Sequence, residues 1–351
     1  MPGAPQPSFV DELIQAPAGV ALLARLEATK RDDVSRFECP TDCNHDSVRL
    51  AALSIQEMPY GELLELAVFA AQQFAGPWSG QALTSLPYLY EHAKHRRQIA
   101  EALSARFYLP LHRDPDLGAQ QWWYEEPINS QQRAGITPCF TNYTLCYGNG
   151  EFTWGGLWTI TDPPPQIHDA LILTWDFFGW PTSRWLLPVR SDARVWVINR
   201  PADWTRLVET YPKAAAHPHA GWELPGPNQH PSDTKLLRSL ATQHAVRSEI
   251  ALHVLPDWER VAADFDGVHL SWAGFLTTEG FISDLSNGGV TMMRFWGSER
   301  TLWLHDVFET PVPLEAPMLT GSVGGGVGVD ASTDDGRRAR DSRALDTLLG
   351  R

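Results

Sequence analysis

Residues 184–198, RWLLPVRSDARVWVI, contain two short apolar runs, at residues 185–189 and 195–198. The polar pair Ser191-Asp192 separates the two runs. Short apolar runs rich in tryptophan and branched residues, bounded by polar residues, are typical of β-strands. The stretch therefore predicts strands at residues 185–190 and 194–199.

The same pattern continues on both sides, through a tryptophan-rich part of the chain. All but Trp78 of the 15 tryptophans lie between Trp122 and Trp303. An indole supplies a large apolar area, which suits a β-rich core. Five more strands are predicted, at residues 137–146, 157–161, 267–272, 290–296 and 301–307.

Only a few helices interrupt these strands. One is predicted to start at Pro201 and to end before Pro212, and another to run from a cap at Asp257 to Asp264. A third is predicted at residues 235–244. Because strands and helices do not alternate regularly, this order predicts an α+β fold rather than a doubly wound sheet.

Residues 8–107 have helical periodicity instead. Ser8 with Asp11 predicts a capping box on a first helix, Pro17 predicts the start of a second, and the continuously apolar segment 61–74 predicts a central helix. A last helix is predicted from Pro87 to residue 107. Its solvated face is expected to carry Glu91, Lys94, His95, Arg96 and Gln98.

These changes in pattern divide the chain into three parts. We expect a helical subdomain at residues 1–110 and a Trp-rich α+β domain with a few helices at residues 111–318. Residues 319–351, which begin with a run of glycines, predict a flexible linker and tail.

Composition excludes several classes of function. The formal net charge of −14 would repel phosphates over most of the surface, so we expect no general nucleic-acid binding and no membrane binding. Residues 1–10 carry no basic residue and no apolar run, which predicts no signal peptide. Four cysteines are too few for a disulfide framework. We therefore expect a soluble, acidic, cytoplasmic protein.

Two groups of histidines and cysteines have the spacing of metal ligands. Cys39, Cys43 and His45 form a Cys-x3-Cys-x-His pattern, but a structural zinc site needs four ligands, and no second pair follows. His217 and His219 flank a proline in a predicted loop, where no third ligand is placed. We therefore expect no metal.

Three segments together resemble a known family. They are residues 155–161 (GGLWTIT), residues 184–198 and residues 298–304 (SERTLWL). In this order they are similar to the central part of ADP-ribosyltransferase-like domains, including the related RES-type NAD-consuming toxins. The resemblance implies that NAD is the substrate. A further pattern, LPDWERVAADFDGVHL at residues 255–270, resembles an element of uncharacterised proteins from high-GC bacteria and implies no activity.

The family resemblance assigns roles to particular residues. Glu299 takes the place of the catalytic glutamate, and Trp158 and Thr159 lie on the strand that lines the NAD pocket. Arg300 could meet the pyrophosphate, and Arg133 (or His92) would fill the family's basic position.

Two of the candidate residues keep an alternative explanation. His269, on a predicted strand, is interpreted either as a hydrogen-bonded core histidine or as an acid–base group in the pocket. Glu299 lies at a predicted turn, where a solvated surface charge is the alternative.

Two functions remain open from the sequence. The first is an NAD-using ADP-ribosyltransferase or NAD glycohydrolase. The alternative is a non-catalytic module that binds a small-molecule ligand or a protein, with the C-terminal tail recruiting the protein partner. A metal-dependent hydrolase ranks last because the ligand clusters are incomplete.

Overall fold

The computed structural model describes residues 7–31, 42–75, 82–127, 157–161, 163–167, 179–214, 254–293 and 296–315. Met1–Pro317 form one compact unit, and Met318–Arg351 form a second that lies wholly outside the described residues. The fold is α+β, because a mixed sheet and a set of helices make up the first unit. No helix in the described ranges is long and apolar enough to cross a membrane.

The helices are concentrated in the first third of the chain. Those described are α1 (Phe9–Leu13), α2 (Pro17–Ala28), α3 (His45–Ser54), α4 (Tyr60–Ala75), α5 (Ala82–Ala93), α6 (Arg97–Leu111), α7 (Pro201–Thr210), α8 (Trp258–Asp264) and α9 (Trp272–Thr278).

Local signals set the first two helices as predicted. The side chain of Ser8 accepts a hydrogen bond from the backbone N–H of Asp11, whose carboxylate accepts from the backbone N–H of Ser8, so the capping box is confirmed. Pro17 begins α2, every residue of which is buried. The apolar segment 61–74 forms α4, which packs against α2.

The predicted helix from Pro87 to residue 107 is wrong, because Pro87 lies inside α5 and the chain turns before α6. The turn keeps helical spacing: His95 N donates to His92 O, and Arg97 N donates to Lys94 O. Because the break covers only residues 94–96, the side chains before and after it still recur at spacings of three and four, and the sequence pattern does not reveal it.

Arg96, predicted on a solvated face, is fully buried. Its Nε donates to Oε2 of Glu27 at 2.7 Å, and its Nη2 donates to the carbonyl oxygen of Asp42. A buried charge needs a paired partner, and Glu27 is equally buried. The turn between α5 and α6 therefore directs Arg96 into the bundle and holds α2, α6 and the segment before α3 together.

The described strands are short and widely separated along the chain. They are β1 (Gln120–Pro127), β2 (Leu157–Thr161), β3 (Gly179–Leu186), β4 (Val195–Ile198), β5 (Pro212–Ala214), β6 (Val254–Pro256), β7 (Gly267–Leu270), β8 (Ile282–Asp284), β9 (Val290–Met292), β10 (Arg300–Trp303) and β11 (Val312–Leu314).

Seven of these strands form one sheet in the order β11-β3-β1-β2-β10-β7-β4. Its neighbouring strands are antiparallel except for the parallel pair β4 and β7. β10, which comes late in the chain, therefore lies inside the sheet between β2 and β7. The remaining strands form two antiparallel pairs, β5 with β6 and β8 with β9.

The alternation of side chains gives this sheet two different faces. On one, which we term the helical face, Ile160, Val268 and Leu302 belong to the hydrophobic core that also contains the helices. On the other, which we term the polar face, Thr159 and His269 lie opposite Thr301 in the neighbouring strands.

Several predicted strands are confirmed in position but not in length. The strand at 157–161 is confirmed, and that at 194–199 is confirmed as β4. The strand at 185–190 ends at Leu186, after which Val189 makes only an isolated bridge to Phe308. The strands at 290–296 and 301–307 end at Met292 and Trp303.

Caps explain one of these differences. The strand predicted at 267–272 ends at Leu270 because the Ser271 side chain accepts a hydrogen bond from Gly274 N and so caps α9. Asp257 precedes α8 as predicted, but its side chain makes no capping hydrogen bond. The predicted strand 137–146, the predicted helix 235–244 and the tail lie outside the described residues.

Candidate functional site

Glu299 lies one residue before β10, where the chain enters the interior of the sheet. It is only 5% exposed, so the alternative of a solvated surface charge is wrong. Its Oε1 accepts a hydrogen bond from Oγ1 of Thr161 at 2.8 Å, and both carboxyl oxygens accept from the backbone N–H of Thr161, at 3.3 and 3.2 Å. A single residue at the end of β2 thus fixes the carboxyl group.

A chain of hydrogen bonds on the polar face leads to this carboxyl group. The indole N–H of Trp303 donates to Oγ1 of Thr159, which donates to Oε1 of Gln120. Nε2 of Gln120 in turn donates to Oγ1 of Thr161, which donates to Glu299. We term these five residues the Glu299 network. Every donor in this network donates in the direction of the Glu299 carboxyl group, and successive hydrogen bonds in such a chain polarise one another.

His269 lies on β7, on the other side of β10 from Thr161. Its Nδ1 is 2.9 Å from Oγ1 of Thr301 and 3.6 Å from Oε1 of Glu299. The imidazole is 1% exposed. The structure therefore brings the two residues that the sequence analysis put forward as catalytic, Glu299 and His269, together on one face of the sheet.

Burial shifts the pKa values of Glu299 and His269 in opposite directions. It raises the pKa of Glu299 to about 7, against the opposing effects of the hydrogen bonds from Thr161 and of the Arg300 charge. It lowers the pKa of His269 to about 3. Near neutral pH the imidazole is therefore uncharged, and the carboxyl group exists in comparable amounts of its protonated and ionised forms. Such a carboxyl can exchange a proton or present a negative charge to a developing cation.

The surroundings of the Glu299 network differ at its two ends. Beyond Trp303 lies a small apolar cluster with Leu157, Leu187 and Val307. Gly267 makes room there, because a Cβ on it would lie 2.8 Å from Cε3 of the Trp303 ring.

Tyr60, at the start of α4, lies near the Glu299 end of the network. Burial, and then the charge of Glu299, raises the pKa of its phenol. Its hydroxyl donates to the carbonyl oxygen of Pro110 at 3.1 Å. The helical part of the chain thus reaches the surroundings of the carboxyl group.

Two further candidates lie on the helical face instead. Trp158 pairs in register with Leu302 and meets Trp296 edge to face, with 4.8 Å between ring centroids. Arg300 pairs with Leu270 and donates from Nε to Oγ of Ser298. Of the described residues assigned to NAD, only Thr159 shares a face with Glu299. Arg133 lies outside the described residues.

No three His, Cys, Asp or Glu side chains within the described ranges are arranged to hold a metal ion. Cys43 and His45 are described, whereas Cys39, His217 and His219 are not. Rings of His45 and His95 lie edge to face, 5.4 Å apart, at the start of α3 and after α5. The expectation of no metal stays a prediction.

Comparison with known proteins gives no relative from which a function could be transferred. No family model matches the chain, and no curated protein and no solved structure is similar to it. Function is therefore inferred from the geometry of the polar face.

Sequence reasoning missed five residues around the two candidate catalytic groups: Gln120, Thr161, Thr301, Trp303 and Tyr60. One signal was available for Thr161, because it alternates with Thr159 in β2 and so must share a face with it. For Gln120 there was none, since its strand was not predicted at all.

Proposed function

We propose that the protein cleaves the bond between nicotinamide and ribose in NAD, as a glycohydrolase or an ADP-ribosyltransferase. The observation that carries the proposal is the buried, immobilised carboxyl group of Glu299 with His269 beside it. It supports the role that the resemblance to ADP-ribosyltransferase-like domains gives to Glu299.

The chemistry explains why such a carboxyl would be useful. As the bond from ribose C1′ to the nicotinamide nitrogen breaks, its electron pair leaves with nicotinamide and the ribose develops oxocarbenium character. Water, or a hydroxyl or amine of an acceptor, then attacks C1′ and releases a proton. An ionised carboxylate near C1′ stabilises the positive charge, most strongly where water is excluded. Because Thr161 already holds Glu299, little reorganisation would accompany the reaction.

The proton released by the attacking group would pass to the carboxylate of Glu299, whose pKa of about 7 suits a base near neutral pH. His269, with a pKa of about 3, is too weak a base for that proton, and it would instead be a neutral neighbour that helps to position the carboxyl group, with Nδ1 3.6 Å from Oε1 of Glu299. Thr159 would support the site through the Glu299 network. Trp158 and Arg300 face the opposite side of the sheet from Glu299, and Arg133 lies outside the described residues. Contacts of these three residues with NAD therefore stay predictions.

The decisive experiment measures nicotinamide release from NAD by the wild-type protein and by Glu299→Gln. The substitution keeps the shape and removes the charge, so we expect turnover to fall by about 100-fold or more. NAD affinity should change much less, because the lost interaction belongs mainly to the transition state.

Glu279→Gln provides the matched control. Glu279 is also fully buried and accepts a hydrogen bond, from the backbone N–H of Trp296, but it lies outside the Glu299 network. Equal turnover of wild type and Glu299→Gln at matched folding would remove Glu299 from the proposal.

The ionisation of Glu299 also predicts a pH dependence. Only the carboxylate stabilises the oxocarbenium, so turnover should rise with pH through about 7, where Glu299 ionises. The rise should be absent from the residual activity of Glu299→Gln. A wild-type profile that is flat from pH 6 to 8 would contradict the assignment.

A binding module without catalysis is the second candidate, and one observation favours it. The hydroxyls of Thr159 and Thr161 are both donor and acceptor within the Glu299 network, as a purely structural network would require. If the protein releases no nicotinamide from NAD, and NAD does not shift the melting temperature of the protein, this second candidate replaces the first.

A further inference from the structure

Gln120, the first residue of β1, is the centre of the Glu299 network. It is fully buried, and both ends of its amide are used. Nε2 donates to the backbone carbonyl of Asp116 at 2.9 Å and to Oγ1 of Thr161 at 3.0 Å, while Oε1 accepts from Oγ1 of Thr159 at 2.5 Å.

These three bonds fix which way the amide points. If the amide were turned over, its oxygen would face the carbonyl oxygen of Asp116, and neither atom could donate. At the other end Trp303, whose indole N–H can only donate, occupies an acceptor site of Thr159. The proton of the Thr159 hydroxyl is therefore left for Oε1 of Gln120.

The orientation of Gln120 decides the orientation of Thr161. A hydroxyl has a single proton, and when Oγ1 of Thr161 accepts from Nε2 of Gln120 that proton is available for Glu299, 2.8 Å away. A group in place of Nε2 that accepted instead of donating would compete with Glu299 for the same proton.

We infer that Gln120 is a positioning residue, whose side-chain amide directs the hydroxyl proton of Thr161 onto the carboxyl group of Glu299 and so favours the ionised form. The inference deepens the proposed function, on which its catalytic meaning rests. Its chemistry is measurable without NAD, since hydrogen bonds from Thr161 act on the ionisation of Glu299 against the effect of burial.

The test measures the ionisation of Glu299 directly, by NMR of protein with ¹³C-labelled glutamate side chains, with the signal assigned by its loss in Glu299→Gln. Gln120→Glu replaces the donor by an acceptor of the same shape. Two carboxyl groups then compete for one hydroxyl, and we expect the pKa of Glu299 to rise by about 1 pH unit or more. Gln120→Met, which removes donor and acceptor without adding a charge, should raise it by less.

Gln121 offers a matched control one residue along the same strand. It is also a buried glutamine, and its Oε1 accepts a hydrogen bond from the indole N–H of Trp123, but it faces the opposite side of the sheet. Gln121→Glu and Gln121→Met should leave the titration of Glu299 where it is in the wild type. Equal shifts from the Gln120 and Gln121 pairs would show a general effect of core disruption and would overturn the inference.

Variants of Thr161 test the same step if Gln120→Glu fails to fold. Thr161→Val removes the hydroxyl and should raise the pKa of Glu299, whereas Thr161→Ser keeps the hydroxyl and should restore it. A titration of Glu299 that is the same in wild type, Gln120→Met and Thr161→Val would overturn the inference.

The outcome is separable from that of the proposed function. If the Gln120 variants move the titration of Glu299 but wild-type protein releases no nicotinamide, the positioning role stands and the NAD reaction falls. If turnover depends on Glu299 while its titration ignores Gln120, the reaction stands and the positioning role falls.

Discussion

On one face of the sheet Leu302 lies between Trp158 and Val268, and on the other face, one residue earlier, Thr301 lies between Thr159 and His269. The same three strands therefore present an apolar surface to the helices and a polar surface to Glu299. On the helical face, a buried leucine contributes through the area it removes from water, about 1.5–3 kcal/mol. On the polar face, stability depends on whether each donor meets its acceptor, because an unmet buried group costs about 1–3 kcal/mol.

The difference between the two faces shows that the candidate ionisable groups, Glu299 and His269, lie on the polar face. The apolar face tolerates small shifts, since the hydrophobic effect has no direction. The polar face holds its groups at fixed distances and is sensitive to pH through Glu299 and His269. The comparison can be tested by substituting neighbouring residues that point to opposite faces.

The largest effect is expected on the helical face. Leu302→Ala removes a fully buried side chain from the core and should lower the free energy of unfolding by about 3 kcal/mol. Urea unfolding measures the change, which should be the same at pH 5 and pH 8, because the helical-face contact of Leu302 is uncharged. A loss that varies strongly with pH would show that the two faces are not independent.

A pH-dependent effect of similar size is expected from Glu299→Gln. The pKa of Glu299 is about 7 in the fold and 4.5 as the reference value, so the folded state binds the proton more tightly. Its contribution is fully present below about pH 4.5 and is lost as the pH rises through about 7. Between pH 5 and pH 8, Glu299→Gln should therefore gain up to about 3 kcal/mol relative to the wild type. Unfolding curves whose separation does not change over this range would contradict the buried titration.

His269 makes the stability depend on pH in the direction opposite to Glu299, which gives a second and sharper test. Its pKa is about 3 in the fold against a reference value of 6.5, so the unfolded chain binds more protons and stability rises with pH between these values. In the wild type the slopes from Glu299 and His269 oppose each other between about pH 4.5 and 6.5. In Glu299→Gln only the rise remains, so its stability should climb over that range.

The smallest effect distinguishes hydrogen bonding from volume. Thr159→Val keeps the shape of a fully buried side chain but leaves Trp303 Nε1 and Gln120 Oε1 without the hydroxyl, at a cost of about 2 kcal/mol. Ile160 follows Thr159 in β2 and lies on the helical face. Ile160→Val removes a methylene from it and should cost about 1 kcal/mol. If Ile160→Val proves the more damaging in thermal unfolding, the network contributes little.

Local patterns predicted much of the fold and a part of the site. The capping box at Ser8, the start of α2 at Pro17 and the strand of Thr159 all follow from signals within a few residues. Glu299 was put forward by the resemblance to ADP-ribosyltransferase-like domains, and His269 by its place on a predicted strand. These are features that the sequence carries locally.

The remaining contacts depend on residues far apart in the chain. β1 reads QQWWYEEP, which has no clean alternation, so Gln120 was not recognised as part of a strand. Its pairing with Thr161 and the contact of Thr161 with Glu299 span 41 and 138 residues. Arg96 has the same difficulty, because its partner Glu27 is 69 residues away. Register across a sheet and ion pairing across a bundle are set by tertiary packing, which a local pattern does not contain.

The place of β10 inside the sheet has a consequence for how the protein assembles. Strands β2 and β7 do not pair with each other, because β10, the last of these three strands in the chain, lies between them. Closing such distant pairings is slow, since the entropy of long loops is lost before any contact compensates for it. The near-neutral ionisation of Glu299 is thus a property of the completed sheet alone. During refolding, its appearance would mark the insertion of β10 and distinguish molecules that have completed this part of the sheet from compact ones that lack β10.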